Sequence, residues 1–95
     1  SDEEESVTVT NHLCAMIENP QRSSLVLGTN FEQLGRVLNV LMTVITSDRS
    51  EGLWNKKLKV RIQQLLGAIK AGVPPQAFQN GVNQLPAKFQ QFLQS

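Results

Sequence analysis

An all-α protein is predicted by three features of this sequence. Apolar residues recur at helical spacing in three long stretches. Polar caps and Gly or Pro stops bracket those stretches. After Gly72, two prolines in turn open short segments that carry the same spacing.

Composition sets the frame. A chain of 95 residues suffices for one small domain with a thin core. At 40% apolar and 18% charged, it falls outside the disordered and the membrane-spanning classes. Its apolar runs are far shorter than the ~20 residues that span a bilayer. The start, Ser1-Asp2-Glu3-Glu4-Glu5, lacks the basic and apolar regions of a signal peptide. A net charge of +1 argues against a nucleic-acid binder. Cys14 is the single cysteine, which rules out an internal disulfide and fits a reducing compartment.

The first helix is expected over Asp2 to Glu18. Asp2 and Glu5 have capping-box spacing, and four consecutive acids suit the positive end of the helix dipole. Val9, Leu13, Met16 and Ile17 define its apolar face, although Val7 to Thr10 are β-branched and favour strand. Asn19-Pro20 ends it, because the residue before proline avoids helical angles. Residues Gln21 to Gly28 read as a connection. Thr29-Asn30-Phe31-Glu32 has the form of a capping box, which places the start of the second helix at Thr29. On that reading Thr29→Ala costs about 1 kcal/mol. Phe31, Leu34, Leu38, Leu41 and Ile45 form the buried face of this helix, which runs to about Thr46. Ser47 to Gly52 is polar and turn-like.

The third helix is expected from Leu53 to Ala71. Trp54, Leu58, Ile62, Leu65, Leu66 and Ile69 lie on one face, with Lys56, Lys57, Lys59, Arg61 and Gln63 mostly opposite. Gly72, Pro74 and Pro75 supply the stop, and Pro75 opens a fourth helix to about Gly81. Leu85-Pro86 opens a fifth, which buries Phe89, Phe92 and Leu93 and turns glutamines outward.

The layout is two antiparallel hairpins within one unit spanning residues 1–95. The first hairpin covers about 2–47; the second, with its returning helix split in two, covers about 50–94. Two helices in roughly 45 residues match the HEAT and armadillo class of repeat. Such arrays need about three repeats for stability, so the expectation is a piece of a longer α-solenoid. The two short, outwardly polar helices suit its terminal cap. Apolar residues of the first helix, Val7 and Met16 above all, are then expected to be left exposed.

Short stretches along the chain resemble the C-terminal part of importin-beta-like karyopherins of the importin five type. They are Asp2-Glu3-Glu4-Glu5-Ser6-Val7 leading to Leu13-Cys14-Ala15-Met16-Ile17-Glu18, and Val26-Leu27-Gly28-Thr29-Asn30 followed by Leu34, Arg36 and Val37. Val73-Pro74-Pro75-Gln76-Ala77-Phe78 and Gln84-Leu85-Pro86 continue the match, whereas the loop at Ser47 to Gly52 departs from it in length and content. The resemblance implies a nuclear transport receptor built of HEAT repeats that shuttles between cytoplasm and nucleus. It implies cargo proteins and nucleoporins as partners, with cargo held largely on the concave surface. The small GTPase Ran would act on the full-length receptor, mainly through its N-terminal half, and is not assigned to this segment.

Candidate sites are few. One histidine and one cysteine provide no triad and no zinc set, so neither catalytic residues nor a metal or cofactor are assigned. His12 and Cys14 are two apart and point to different helix faces. Cys14 reads as a small buried apolar residue rather than a nucleophile. The glycines lack phosphate-loop spacing. The run Lys56, Lys57, Lys59 and Arg61 has no aromatic interleaving and reads as a solvated helix face. The acids at 2–5 serve helix capping and solubility, or attract a basic cargo signal. Trp54 reads as a core residue in preference to an exposed hot spot. Glu32, Arg36, Asn39 and Thr43, at i, i+4, i+7 and i+11, form a polar stripe opposite the apolar one. This stripe is the partner-binding candidate; an ordinary exposed face is its alternative. Nothing supplies the polar cleft and perturbed acid or base of an enzyme. The competing function is a helical-repeat scaffold in another assembly.

Overall fold

The computed structural model describes residues 2–19, 21–46 and 53–94 and is all-helical there, without strands. Six helices follow one another: α1 (Asp2–Glu18), α2 (Ser23–Leu27), α3 (Leu34–Ile45), α4 (Leu53–Gly72), α5 (Pro75–Asn83) and α6 (Ala87–Gln94). The readings of Asp2 to Glu5 as a cap, of Val7 and Val9, and of Trp54 concern side chains outside the described set.

α1 stops where Asn19-Pro20 predicts. The Asn19 side chain accepts the amide of Gln21 at 3.0 Å, and its carbonyl accepts the amides of Arg22 and Ser23 at 2.9 Å. Among the described side chains of α1, Thr10, Cys14 and Ile17 are buried and Leu13 and Met16 half-buried. Thr10 joins the buried side although it is polar; a threonine hydroxyl can bond within its own helix and so be buried at little cost.

Two boundaries differ from the sequence reading. The supposed connection after α1 contains a short helix, α2. The helix expected from Thr29 begins at Leu34, with Gln33 as N-cap and no side-chain cap bond. The cause is Phe31, whose φ of 59° is left-handed and cannot belong to a right-handed helix. The capping-box reading is therefore corrected, and with it the cost assigned to Thr29→Ala. Only the glutamate half of the box exists, and it braces a loop. A Glu32 carboxylate oxygen accepts the Asn30 amide at 2.9 Å. Gly28 lies directly against that carboxylate, where a Cβ would fall 2.5 Å from Glu32 Cδ. Its backbone, φ 91° and ψ 154°, is in a region essentially reserved for glycine.

α3 is the centre of the molecule. Leu34, Gly35, Val37, Leu38, Leu41, Met42 and Ile45 are buried, and α2, α4 and α5 pack around it. Its closest neighbour is α5, and the crossing runs through two glycines. A Cβ on Gly81 would stand 3.1–3.3 Å from the side chains of Leu34 and Leu38, while one on Gly35 would run into the Gln84 side chain. α4 buries Leu58, Ile62, Leu65, Leu66 and Ile69 as predicted, and Val73 extends the face past the helix end. Pro75 occupies the first turn of α5, which continues to Asn83, beyond the expected Gly81. Gln90 of α6 reaches back, its side-chain amide donating to the Leu85 carbonyl at 2.8 Å and to the Asn83 carbonyl, at the end of α5, at 3.4 Å. Of the three residues expected to be buried in α6, Phe89 is buried and Leu93 half-buried, but Phe92 is 50% exposed. The correction follows from position: α6 sits at the edge, chiefly against α5, and one neighbour covers one side.

The two expected hairpins are not the tightest pairs. α1 lies against α2 and α4, α3 lies against α5, and residues from α1 through α6 share one core. The radius of gyration is 12.9 Å. A compact globule of this length has about 12.4 Å, so the helices close on themselves as one body.

Glycine substitutions test this packing. Gly81→Leu overfills the α3–α5 crossing and should lower stability by about 1–3 kcal/mol. Gly67→Ala, in α4 with no neighbour within 4 Å of its Cβ position, should raise stability by about 0.5–1 kcal/mol. Denaturant midpoints measure both, and a neutral Gly81→Leu would mean that the crossing is not close.

Candidate protein-binding surface

The surface of α3 follows from its burial. Three sides of the helix are covered, and the strip left to solvent carries Arg36, Asn39, Val40 and Thr43, all exposed. Three of the four residues of the predicted stripe thus lie together on one helix face. Glu32 is exposed as well, but it sits in the turn before α3 with its carboxylate folded back on the loop. The Thr43 hydroxyl donates to the Asn39 carbonyl at 2.7 Å, leaving its oxygen as an acceptor for a partner. Arg36 and Asn39 bring donors and an acceptor. Val40, 42% exposed, puts an apolar centre in the strip that a count of polar residues passed over. A guanidinium, an amide and a hydroxyl around a valine can hold a polypeptide by hydrogen bonds and a small apolar contact.

Electrostatics distinguish the groups. The Glu32 carboxyl is held below the usual carboxylate range by the backbone amides it accepts, its own and that of Asn30 first and that of Thr29 after them. Burial pushes the Cys14 thiol up, against an opposing effect of Arg61. Cys14 is fully buried and His12 exposed, on different faces as expected.

Arg61 corrects the reading of the basic run as a solvated face. Lys56 and Lys57 are exposed, whereas Lys59 and Arg61 are half-buried. Arg61 ties α4 to α1: its Nη2 lies 2.7 Å from Glu18 Oε1, its Nε donates to the same oxygen at 2.9 Å, and its Nη1 donates to Asn11 Oδ1 at 3.0 Å. With both charged groups more than a third exposed, the pair is worth below about 1 kcal/mol and acts mainly as a positional latch. The sequence held only a hint of it: one arginine, the residue suited to forked bonding, in a run of lysines.

Among the described residues, no group of three His, Cys, Asp or Glu side chains could hold a metal ion. No buried side-chain polar atom there lacks a hydrogen-bond partner. Among the same residues, no helix is long and apolar enough to cross a membrane. Comparison with models of known families, with curated proteins and with solved structures finds no match.

Two measurements check these assignments. The depressed Glu32 pKa stabilises the fold at pH values above the ordinary carboxylate value of about 4.3, and the contribution is lost as pH falls through the lower folded-state value. The stability difference between the native chain and Glu32→Gln should therefore be present at pH 7 and shrink towards pH ~3; denaturant midpoints at the two pH values read it. Cys14 should react with a thiol reagent on the order of a hundredfold more slowly in the folded than in the unfolded chain. Equal rates would place the thiol at the surface.

Proposed function

We propose that this chain is a HEAT-repeat segment of a nuclear transport receptor of the importin-beta type, acting by protein–protein binding. The observation that carries the reading is the stretch Val26-Leu27-Gly28-Thr29-Asn30, one of those that resemble karyopherins. Its glycine occupies a backbone conformation that other residues avoid, and it makes room for the Glu32 carboxylate. The turn that these residues build is thus a physical requirement of the chain. Two further features support the reading: the all-helical architecture, and Pro75 in the first turn of α5 within the Val73-Pro74-Pro75 stretch.

On this reading the exposed strip of α3 is the inner surface of a repeat, where Arg36, Asn39 and Thr43 meet cargo. The receptor shuttles between cytoplasm and nucleus, and it meets nucleoporins in transit and Ran through a part of the molecule outside this segment. A second reading, a self-contained helical adaptor in another assembly, draws on the single closed core and the globular radius of gyration.

The readings separate in a binding experiment. The purified chain should bind a nucleoporin-type Phe-Gly repeat peptide roughly tenfold more tightly than a Ser-Gly peptide of the same length, and should not retain GTP-bound Ran. Equal affinity for the two peptides would favour the adaptor.

A further inference from the structure

α5 carries a reactive dipeptide that the packing described above keeps closed. Seven asparagines lie along the chain, and Asn80 alone is followed by glycine. The order matters because an asparagine side chain is open to attack by the backbone nitrogen of the next residue. A Cβ on that next residue shields the nitrogen, and glycine has none. Asn19, at the other extreme, precedes Pro20, whose nitrogen carries no hydrogen. Position 81 needs its glycine, since a Cβ there would press on Leu34 and Leu38 at 3.1–3.3 Å. The crossing of α5 over α3 therefore sets an Asn-Gly pair at its own centre.

The fold holds the two reacting atoms apart. Asn80 and Gly81 lie inside α5, where each amide is committed to the helical ladder. Ring closure requires the Asn80 backbone to leave helical angles so that the Gly81 nitrogen can reach the side-chain carbon. The Asn80 side chain is engaged as well: its Oδ1 accepts a bond from Gln76 Nε2 at 3.1 Å. Gly81 is buried, while Asn80 faces water.

We propose that Asn80-Gly81 is a self-modification site, gated by the α3–α5 crossing, where water deamidates the asparagine and the isoaspartyl product keeps the crossing from re-forming. When α5 opens, the Gly81 nitrogen bonds to Asn80 Cγ. The side-chain nitrogen leaves as ammonia, taking up the Gly81 amide proton, and a succinimide ring remains. Water then opens the ring. Addition at Cγ restores the ordinary backbone with aspartate at position 80. Addition at the former backbone carbonyl leaves isoaspartate, with the side-chain methylene now in the main chain. Aspartate at this exposed position leaves α5 intact. Isoaspartate adds a main-chain atom just before Gly81, and helical bonding closes rings of fixed size. Gly81 and Val82, both buried, then lose their register in the helix. Each long opening of α5 is thereby recorded in the covalent structure. The proposal does not rest on the karyopherin reading, because it uses only the α3–α5 packing.

The experiment incubates the whole chain in warm, mildly alkaline buffer, folded and unfolded in urea. Peptide mass reads deamidation at each asparagine, and an isoaspartyl methyltransferase assay reads the isoaspartate. Unfolded, Asn80 should lose its amide ahead of every other asparagine. Folded, its rate should be roughly tenfold or more lower, since the reaction waits for α5 to open. Leu38→Ala, which loosens the crossing and leaves the dipeptide intact, should raise the rate in the folded chain. Asn80→Gln should remove the signal. After removal of urea, chains with isoaspartate should unfold at a lower denaturant midpoint than the native chain, whereas Asn80→Asp should stay close to it. Equal rates in folded and unfolded chains, a faster site elsewhere in the unfolded chain, an unchanged rate in Leu38→Ala, or an isoaspartyl fraction as stable as the native chain would each overturn the proposal.

Discussion

The packing of α5 across α3 at Gly81 is the contact on which the rest of the arrangement depends. With no Cβ at Gly81, Leu34 and Leu38 fill the crossing and are completely buried there. α4 and α2 then cover the other sides of α3, and one core forms from all six helices. A helix surrounded in this way has little surface left. Where α3 can meet a partner is therefore decided by what its neighbours leave uncovered, the strip of Arg36, Asn39, Val40 and Thr43.

The turn before α3 has a comparable effect on the candidate site. Gly28 and Phe31 both take positive φ values, and the Glu32 carboxylate closes the loop between them by accepting its amides. An acid at this point of the sequence looks like the first residue of a binding stripe. In the fold it is committed to the backbone, and its depressed pKa records that commitment. Positioning and recognition compete for the same carboxylate, and positioning wins.

Charge along the chain is segregated, with four acids at residues 2–5 and five cations in α4. The near-neutral total conceals this. One cation, Arg61, latches α4 to α1 through Glu18 and Asn11. The exposed lysines stay on the outer face of α4, beside Val60 and Gly67. The chain thus has two unlike surfaces, a near-neutral polar strip on α3 and a basic one on α4.

Local chemistry determined much of this protein without the fold. The helical class, the end of α1 at Asn19-Pro20, the core faces of α3 and α4, and the proline starts of α5 and α6 all follow from spacing, caps and stops that act within a turn or two of chain. The exposure of Arg36, Asn39 and Thr43 was legible for the same reason, since it is the complement of the apolar stripe. Only the tertiary structure decided the left-handed Phe31 that delays α3 to Leu34, the use of Glu32 as a loop brace, and the half-exposure of Phe92. It alone paired Arg61 with Glu18, 43 residues away in sequence. It alone separated Gly81, which a neighbouring helix needs, from Gly67, which no other helix approaches among the described residues. Each of these depends on atoms brought together from distant parts of the chain, and residue type and spacing carry no record of such distances.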